Sequence, residues 1–477
     1  MEVQNYINGE IIDSGSSEWL DNFNPATGKV YSKITDSNAE DVDRAYEAAQ
    51  KAQPNWENSP AEERFRVMNK VAELIEERIE EFAKAESIDQ GKPFWLAKNE
   101  MRRAAQNMRF FATAAMQFAS ESHATENKAI NYTLRQSIGV VGCISPWNLP
   151  LYLFTWKIAP ALAAGNAIVS KPSEFTPMTA FLFSKVCIEA GMPAGVLNVV
   201  HGLGPKVGQA IVEHKGIKAI SFTGGTVTGA RIASIAAPKF KKLSLELGGK
   251  NPNIIFSDAD IDKAIKTTVN TSFMNQGEIC LCGSRLYIHS SIYEQVKERL
   301  IEAVKALKVG DPMDENTRIG AIVSKAHYKK VLGYINLAKE EGGRILLGGE
   351  SVNPAGFEDG WFIEPTIIEG LSPNCRTNQE EIFGPVISIS PFEYTDEIIE
   401  IANGTEYGLA ATIWTENLTL AHRVAQQLQF GIVWVNCWLL RDLRTPFGGM
   451  KSSGVGREGG WEAMRFFTEP KNVCIAL

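Results

Sequence analysis

The chain has 477 residues, 44% hydrophobic and 22% charged, a globular balance that excludes wholesale disorder; at about 150 residues per domain it has room for roughly three units. Its 48 Lys and Arg against 56 Asp and Glu leave a formal charge of −8, so nothing pulls it toward nucleic acid or an anionic membrane. Seven cysteines, odd in number and sparse, argue against a disulfide framework, and the first ten residues carry neither a basic nor an apolar leader, so a soluble cytoplasmic protein with reduced thiols is expected. In chain order, the opening reads as short strands and turns ending at Asn24-Pro25-Ala26-Thr27-Gly28. Val42, Ala45, Ala48, Ala49 and Ala52 then recur at helical spacing. Val67, Val71, Leu74, Ile75, Ile79 and Phe82 make a second stripe, and the charges between them form a solvated face. A third helix is predicted over 99–120. The most apolar stretch, 149–165, is interrupted by Lys157 and Pro160 and is too short to span a bilayer.

From Ile138 the rhythm changes. Apolar runs of strand length at 138–144, 167–170, 197–200, 219–222 and 253–256 alternate with helical stretches. A second series runs from Arg285: strands at 286–288, 387–390, 410–414 and 432–435, with helices at 292–307, 331–341 and 397–402. Such alternation predicts an α/β fold with two doubly wound parallel sheets and a cleft between them.

Chemistry narrows by elimination. The six His are scattered, with no His-Glu-x-x-His and no Cys-x-x-Cys, so no metal is expected. There is no Gly-x-Ser-x-Gly elbow and no P-loop lysine. Gly202 to Gly208 nearly matches a dinucleotide fingerprint but is one residue too long, and Gly224 to Gly229 follows a predicted strand and opens a helix, where a phosphate could meet free N–H groups. Either loop also suits a plain tight turn. Cys280, in a segment flanked by Gly277 and Gly283, is a candidate nucleophile; Cys143, Cys187, Cys375, Cys437 and Cys474 read as small buried hydrophobes. Glu246 stands among apolar residues, which would raise its pKa toward use as a general base.

These residues belong to a set of blocks that resembles the NAD(P)-dependent aldehyde dehydrogenases from end to end: Asn24 to Gly28, Pro146-Trp147-Asn148-Leu149-Pro150, Lys171-Pro172-Ser173-Glu174, Ser221-Phe222-Thr223-Gly224, Leu245-Glu246-Leu247-Gly248-Gly249-Lys250, Asn275-Gln276-Gly277 to Cys280, Glu381-Ile382-Phe383-Gly384-Pro385 and Pro446-Phe447-Gly448-Gly449. The resemblance implies an NAD-binding domain (1–124 and 138–246), a catalytic domain (247–450) and a β oligomerisation arm (125–137 and 451–477), assembled as a homodimer or homotetramer. It implies Cys280 as nucleophile, Asn148 with the Cys280 N–H as oxyanion donors, Glu246 as base and Glu458 as a second carboxylate on the proton path. It places NAD against Ser145, Trp147, Lys171, Glu174, Gly208, Phe222, Gly224, Glu381 and Phe383, with Glu174 repelling a 2′-phosphate and so favouring NAD over NADP. Three departures stand out. Glu278 occupies a position often held by Gln and should raise the thiol pKa if it points inward; Gly225 replaces a Ser; Ser137 replaces a Pro.

The segment 434–447 is similar to that of the 2-hydroxymuconic and 2-aminomuconic semialdehyde dehydrogenases, whose substrates carry a carboxylate far from the aldehyde. A guanidinium binds a carboxylate bidentately, so Arg441 and then Arg103 are the expected anchors, with Leu151, Trp156 and Phe447 lining the substrate site. The alternatives at this point are an aliphatic, betaine or retinal-type aldehyde, or a non-catalytic structural role. For Arg441 the competing reading is an ion pair with Asp442 or across a subunit interface.

Overall fold

The computed structural model describes residues 1–477. Its first sheet has eight strands in the order Gly454–Val455, Lys242–Glu246, Ala219–Thr223, Val140–Ile144, Ala167–Lys171, Leu197–Val199, Asn5–Ile7, Glu10–Ile12. The five strands from Lys242–Glu246 to Leu197–Val199 are parallel and the outer ones antiparallel. Val140–Ile144 and Ala167–Lys171 are buried along their whole length, which is why they read as unbroken apolar runs rather than alternating ones. The chain winds outward from Val140–Ile144 in one direction and returns to Ala219–Thr223 on its other side. That reversal opens a crevice at the carboxyl ends of the two strands.

The second sheet has seven strands, in the order Arg344–Leu347, Thr366–Glu369, Val386–Phe392, Arg285–His289, Pro252–Ile255, Ala410–Trp414, Ile432–Val435, parallel except at the Arg344–Leu347 edge. The chain is thus α/β with two parallel-centred sheets. A separate three-stranded antiparallel sheet joins Ser122–Thr125, Ala129–Ser137 and Thr468–Ala476.

Helices cover the sheets and fill the space between them. Helix Ala39–Glu57 starts at a capping box in which Asn38 accepts from the Asp41 N–H and Asp41 returns the bond. Helix Pro150–Ala163 is buried on every side, which accounts for its lack of a polar face; it runs through Pro160 in its last turns and carries Lys157 into the interior. It packs against helix Phe94–Gln117. No helix is long and apolar enough to cross a membrane.

Four expectations change. The helix predicted over 99–120 begins at Phe94, directly after Pro93. Lys242–Glu246 is a strand although it reads as a short polar–apolar alternation. Residues 451–477 are not all arm: Gly454–Val455 pairs with Lys242–Glu246 and helix Gly460–Phe466 packs on Pro150–Ala163, so only Thr468–Ala476 joins the small sheet. Cys474 lies on that last strand and is exposed, not buried.

Candidate active site

Three cavities follow one another along the crevice and into the space between the sheets. The outermost, roughly 290 Å³, is lined by Ile144 and Phe222 from the two central strands, by Gly204 and Gly208, and by Glu174. Lys171 Nζ lies 2.9 Å from Glu174 Oε2, and the Gly204 N–H donates to Glu174 Oε1 at 3.4 Å. Burial pushes the Glu174 carboxyl up, but the Lys171 ammonium and backbone N–H donors together hold the group below its ordinary value. Glycine is required at Gly224, where a Cβ would come within 2.4 Å of the Phe222 ring, whereas one on Gly208 would make only an ordinary contact with Lys171. A Cβ on Gly225 meets nothing, and nothing in the structure explains that substitution.

The second cavity, roughly 260 Å³, is bounded by Trp147, Asn148, Thr223, Gly248, Glu381, Phe383 and Cys280. Glu381 accepts the Gly249 N–H at 2.9 Å, and a side chain at Gly248 would strike it. Phe383 holds a left-handed φ of 64°, its ring meets Trp147 edge-on at 5.3 Å, and its carbonyl accepts from His327 Nε2 at 2.6 Å. The buried hydroxyl of Thr223, which lines this cavity, has no protein partner, while Ser145, expected against the cofactor, lines none of the three cavities. A charged pair at one end, glycine-lined backbone in the middle, the unpartnered Thr223 hydroxyl and a carboxylate at the far end fit a dinucleotide.

Cys280 is shared between this cavity and a third, narrow one of about 40 Å³. It follows the turn Met274–Gly277, in which Asn275 and Gln276 both have positive φ; such strain at non-glycine residues marks a backbone held for a purpose. Burial raises the thiol pKa, Glu381 and Glu246 raise it further, and Arg441 opposes them. The Cys280 N–H enters no hydrogen bond, and Asn148 Nδ2 points at the same loop, donating to the Glu278 carbonyl at 3.0 Å.

The third cavity also holds Glu246, Glu458, Arg103, Arg441, Tyr152 and Phe447. Neither oxygen of Glu246 has a hydrogen-bond partner, and burial together with Glu458 pushes its pKa well up. Glu458 Oε1 accepts from Lys157 Nζ at 2.9 Å and from Ser221 Oγ at 3.3 Å. Arg441 donates to Tyr152 Oη at 2.7 Å, and its guanidinium carbon sits 4.1 Å from the Phe447 ring and 4.7 Å from Trp156. Arg103 stacks on Tyr152 at 4.0 Å. Asp442 pairs with Arg444, so the expected alternative partner of Arg441 is taken.

Three sequence expectations are corrected. Leu151 faces the packed core and does not line the cavity; Tyr152 and Leu153, next in the helix, do. Trp156 stands behind Arg441 as a supporting face and is not part of the cavity lining. Glu278 does not point at the thiol: its carboxyl accepts from Gln90 Nε2 and the Val323 N–H, burial raises its pKa, and the thiol is raised by burial, Glu381 and Glu246 instead. Sequence reasoning passed over Lys157, although a single charge inside an otherwise apolar helix was a visible signal. Tyr152 and Glu100 also line the third cavity, without any such signal in the sequence.

The model of the aldehyde dehydrogenase family matches residues 11–473. The chain belongs to that family. It is 49% identical to the 2-aminomuconic semialdehyde dehydrogenase of Danio rerio, over 99% of this chain and 98% of that one. It is 43% identical to the 2-hydroxymuconic semialdehyde dehydrogenase of Pseudomonas putida over the full length of both. The NAD+ complex of an aldehyde dehydrogenase from Bacillus cereus superposes with a TM-score of 0.97 at 39% identity, covering 100% of this chain and 97% of that one. The aldehyde dehydrogenase fold and chemistry therefore belong to this chain.

Proposed function

We propose that this aldehyde dehydrogenase uses NAD to oxidise a semialdehyde bearing a carboxylate distant from the aldehyde, of the 2-aminomuconic or 2-hydroxymuconic kind, to the dicarboxylic acid. The observation that carries this reading is Arg441: a guanidinium in the same narrow cavity as Cys280, backed by aromatic faces and without an ion pair. Half-buried and without an ion pair, it is available to an anionic ligand. Arg103 enters the same cavity and adds a second cation.

Lys171, Glu174, Gly208, Phe222 and Gly224 would hold the adenosine half of the cofactor, and Trp147, Glu381 and Phe383 the nicotinamide half. Bound nicotinamide supplies the hydride acceptor for the oxidation. The chain's own residues do the rest. Glu246, unpartnered and raised in pKa, takes the Cys280 proton and passes it on toward Glu458, so that it is a free carboxylate again for the second step; the sulfur adds to the aldehyde carbon, and the carbonyl electron pair moves to oxygen. Asn148 Nδ2 and the Cys280 N–H meet that charge. After oxidation the thioester carbon is attacked by water as Glu246 takes its proton, the C–S bond breaks, and the proton leaves toward Glu458, Lys157 and Ser221. The unpartnered apolar face of the small β sheet supports assembly with further copies of the chain.

Steady-state kinetics on Arg441→Ala with a carboxylated semialdehyde and a neutral aldehyde of similar length test the substrate class. A charge-assisted bond of about 1.5–3 kcal/mol predicts a roughly 10- to 150-fold loss in kcat/KM for the charged substrate only. Arg441→Lys should recover part of it, since an ammonium keeps the charge without the planar fork. Equal losses on both substrates would make Arg441 structural.

A further inference from the structure

Behind the oxyanion site lies a cluster of charges that the reaction described above does not use. Lys92 is completely buried. Its ammonium has three protons and meets three acceptors: Glu100 Oε2 at 2.5 Å, Glu86 Oε1 at 3.5 Å and the backbone carbonyl of Asn148 at 3.0 Å. Glu86 turns its other oxygen to the N–H of Leu151, one of the free donors at the start of helix Pro150–Ala163. Asn275, one of the two strained residues before Cys280, donates to the same Asn148 carbonyl at 3.1 Å and to the Glu278 carbonyl at 3.1 Å. The Asn148 side chain donates to that Glu278 carbonyl as well. The peptide that carries the oxyanion amide is therefore gripped from the main chain by Lys92 and tied to the nucleophile loop by Asn275.

We infer that Lys92 is a positioning residue: through the Asn148 carbonyl it fixes where the Asn148 amide points when the aldehyde oxygen becomes negative. Three buried ionisable groups are an expensive way to hold three segments together, because well-packed apolar side chains in their place are often as stable or more so. What an apolar replacement could not supply is a directed donor on one particular carbonyl. A donor to an oxyanion is effective only within a few tenths of an ångström of its proper place, and displacement by about 1 Å costs on the order of 100-fold in rate. Lys92 reaches neither the aldehyde nor the cofactor, so its effect passes entirely through Asn148.

The inference rests on the Cys280 and Asn148 chemistry of the proposed function and is independent of the carboxylate at Arg441. Pre-steady-state NADH formation with a neutral aldehyde tests it on the intact enzyme, in a cycle of Lys92→Met, Asn148→Ala and the double variant. Lys92→Met should slow the burst by about 10- to 100-fold while KM and the Kd for NAD change by less than about threefold. In the Asn148→Ala background the same change should slow it by less than about twofold, because both act through one amide. Lys92→Gln, neutral but still a donor, should recover part of the rate and serves as the test should Lys92→Met fail to fold. Equal slowing in both backgrounds, or a loss residing in KM, would overturn the assignment and leave Lys92 a structural residue. Asn148→Ala with a wild-type burst would overturn it too, by removing the oxyanion role itself.

Discussion

At the scale of single residues, Cys280 has an environment that works against ionisation: burial and two nearby carboxylates raise its pKa, with only Arg441 in opposition. A resting thiolate is therefore disfavoured, and the base must act during attack rather than before it. Cys280→Ala should abolish turnover while NAD still binds, measured by fluorescence titration, whereas Cys282→Ala, which lines neither cavity at Cys280, should keep activity within a few-fold. An essential Cys282 with a dispensable Cys280 would reverse the assignment. Glu246→Gln should form at most one NADH per site, more slowly than the unaltered enzyme, and then stall, with steady-state turnover down by roughly 100- to 10,000-fold, because thiol deprotonation and thioester hydrolysis both lose their base. Normal turnover in that variant would take Glu246 out of the mechanism. These residues were legible because each sits in a short motif of its own. The grip of Lys92 on Asn148 was not legible, since the partners lie 56 positions apart and neither segment signals the other.

At the scale of elements, periodicity located the buried parallel strands, since burial on both faces leaves a continuous apolar run, but it merged helices Ala61–Glu77 and Ile79–Gln90 into the single stripe 67–82. It missed Lys242–Glu246, whose last residue is the base: five residues soon followed by the pair Gly248-Gly249 carry too little pattern, and pairing with Ala219–Thr223 makes the strand. The junction of helices Ile79–Gln90, Phe94–Gln117 and Pro150–Ala163 around Lys92 makes a testable pH dependence. Burial pushes Glu86 up to about 8, with Lys92 opposing and Glu100 reinforcing. A carboxyl raised in the folded state contributes stability that is complete below its unfolded pKa and is lost as pH rises through the folded value. The wild-type melting temperature should therefore fall between about pH 5 and pH 8.5 in part because of Glu86. Glu86→Gln, which can still accept from Leu151, should flatten that fall. Parallel profiles for the two proteins, by thermal unfolding at pH 5.5, 7 and 8.5, would place the titration elsewhere.

At the scale of the whole molecule, the small β sheet has no core of its own. Ala129–Ser137 pairs with Thr468–Ala476 over its full length, opposing Ile130 to Ile475 and Tyr132 to Val473. Paired residues share a face, and so do residues two apart on one strand, so Ile130, Tyr132, Leu134, Val473 and Ile475 share one largely apolar face, with Lys471 opposite Leu134 at its edge. Ile130, Leu134 and Ile475 are each at least 40% exposed in the single chain, and three strands with one bare apolar face are marginal in water alone. A second copy of the chain is the occupant consistent with the homo-oligomer proposed. Covering the exposed two-fifths of Leu134 is worth about 0.6–1.2 kcal/mol, and a two-fold contact counts it twice, so Leu134→Glu should weaken association by at least about 7- to 50-fold before the buried charge is considered. Sedimentation velocity over a micromolar concentration series should then show a smaller, concentration-dependent species where the unaltered protein sediments as one larger particle. The cavities around Cys280 draw none of their lining from this sheet, so the smaller species should keep its burst of NADH per site. Unchanged sedimentation of Leu134→Glu would mean that this face stays in water in the assembled protein and that subunits meet through another surface.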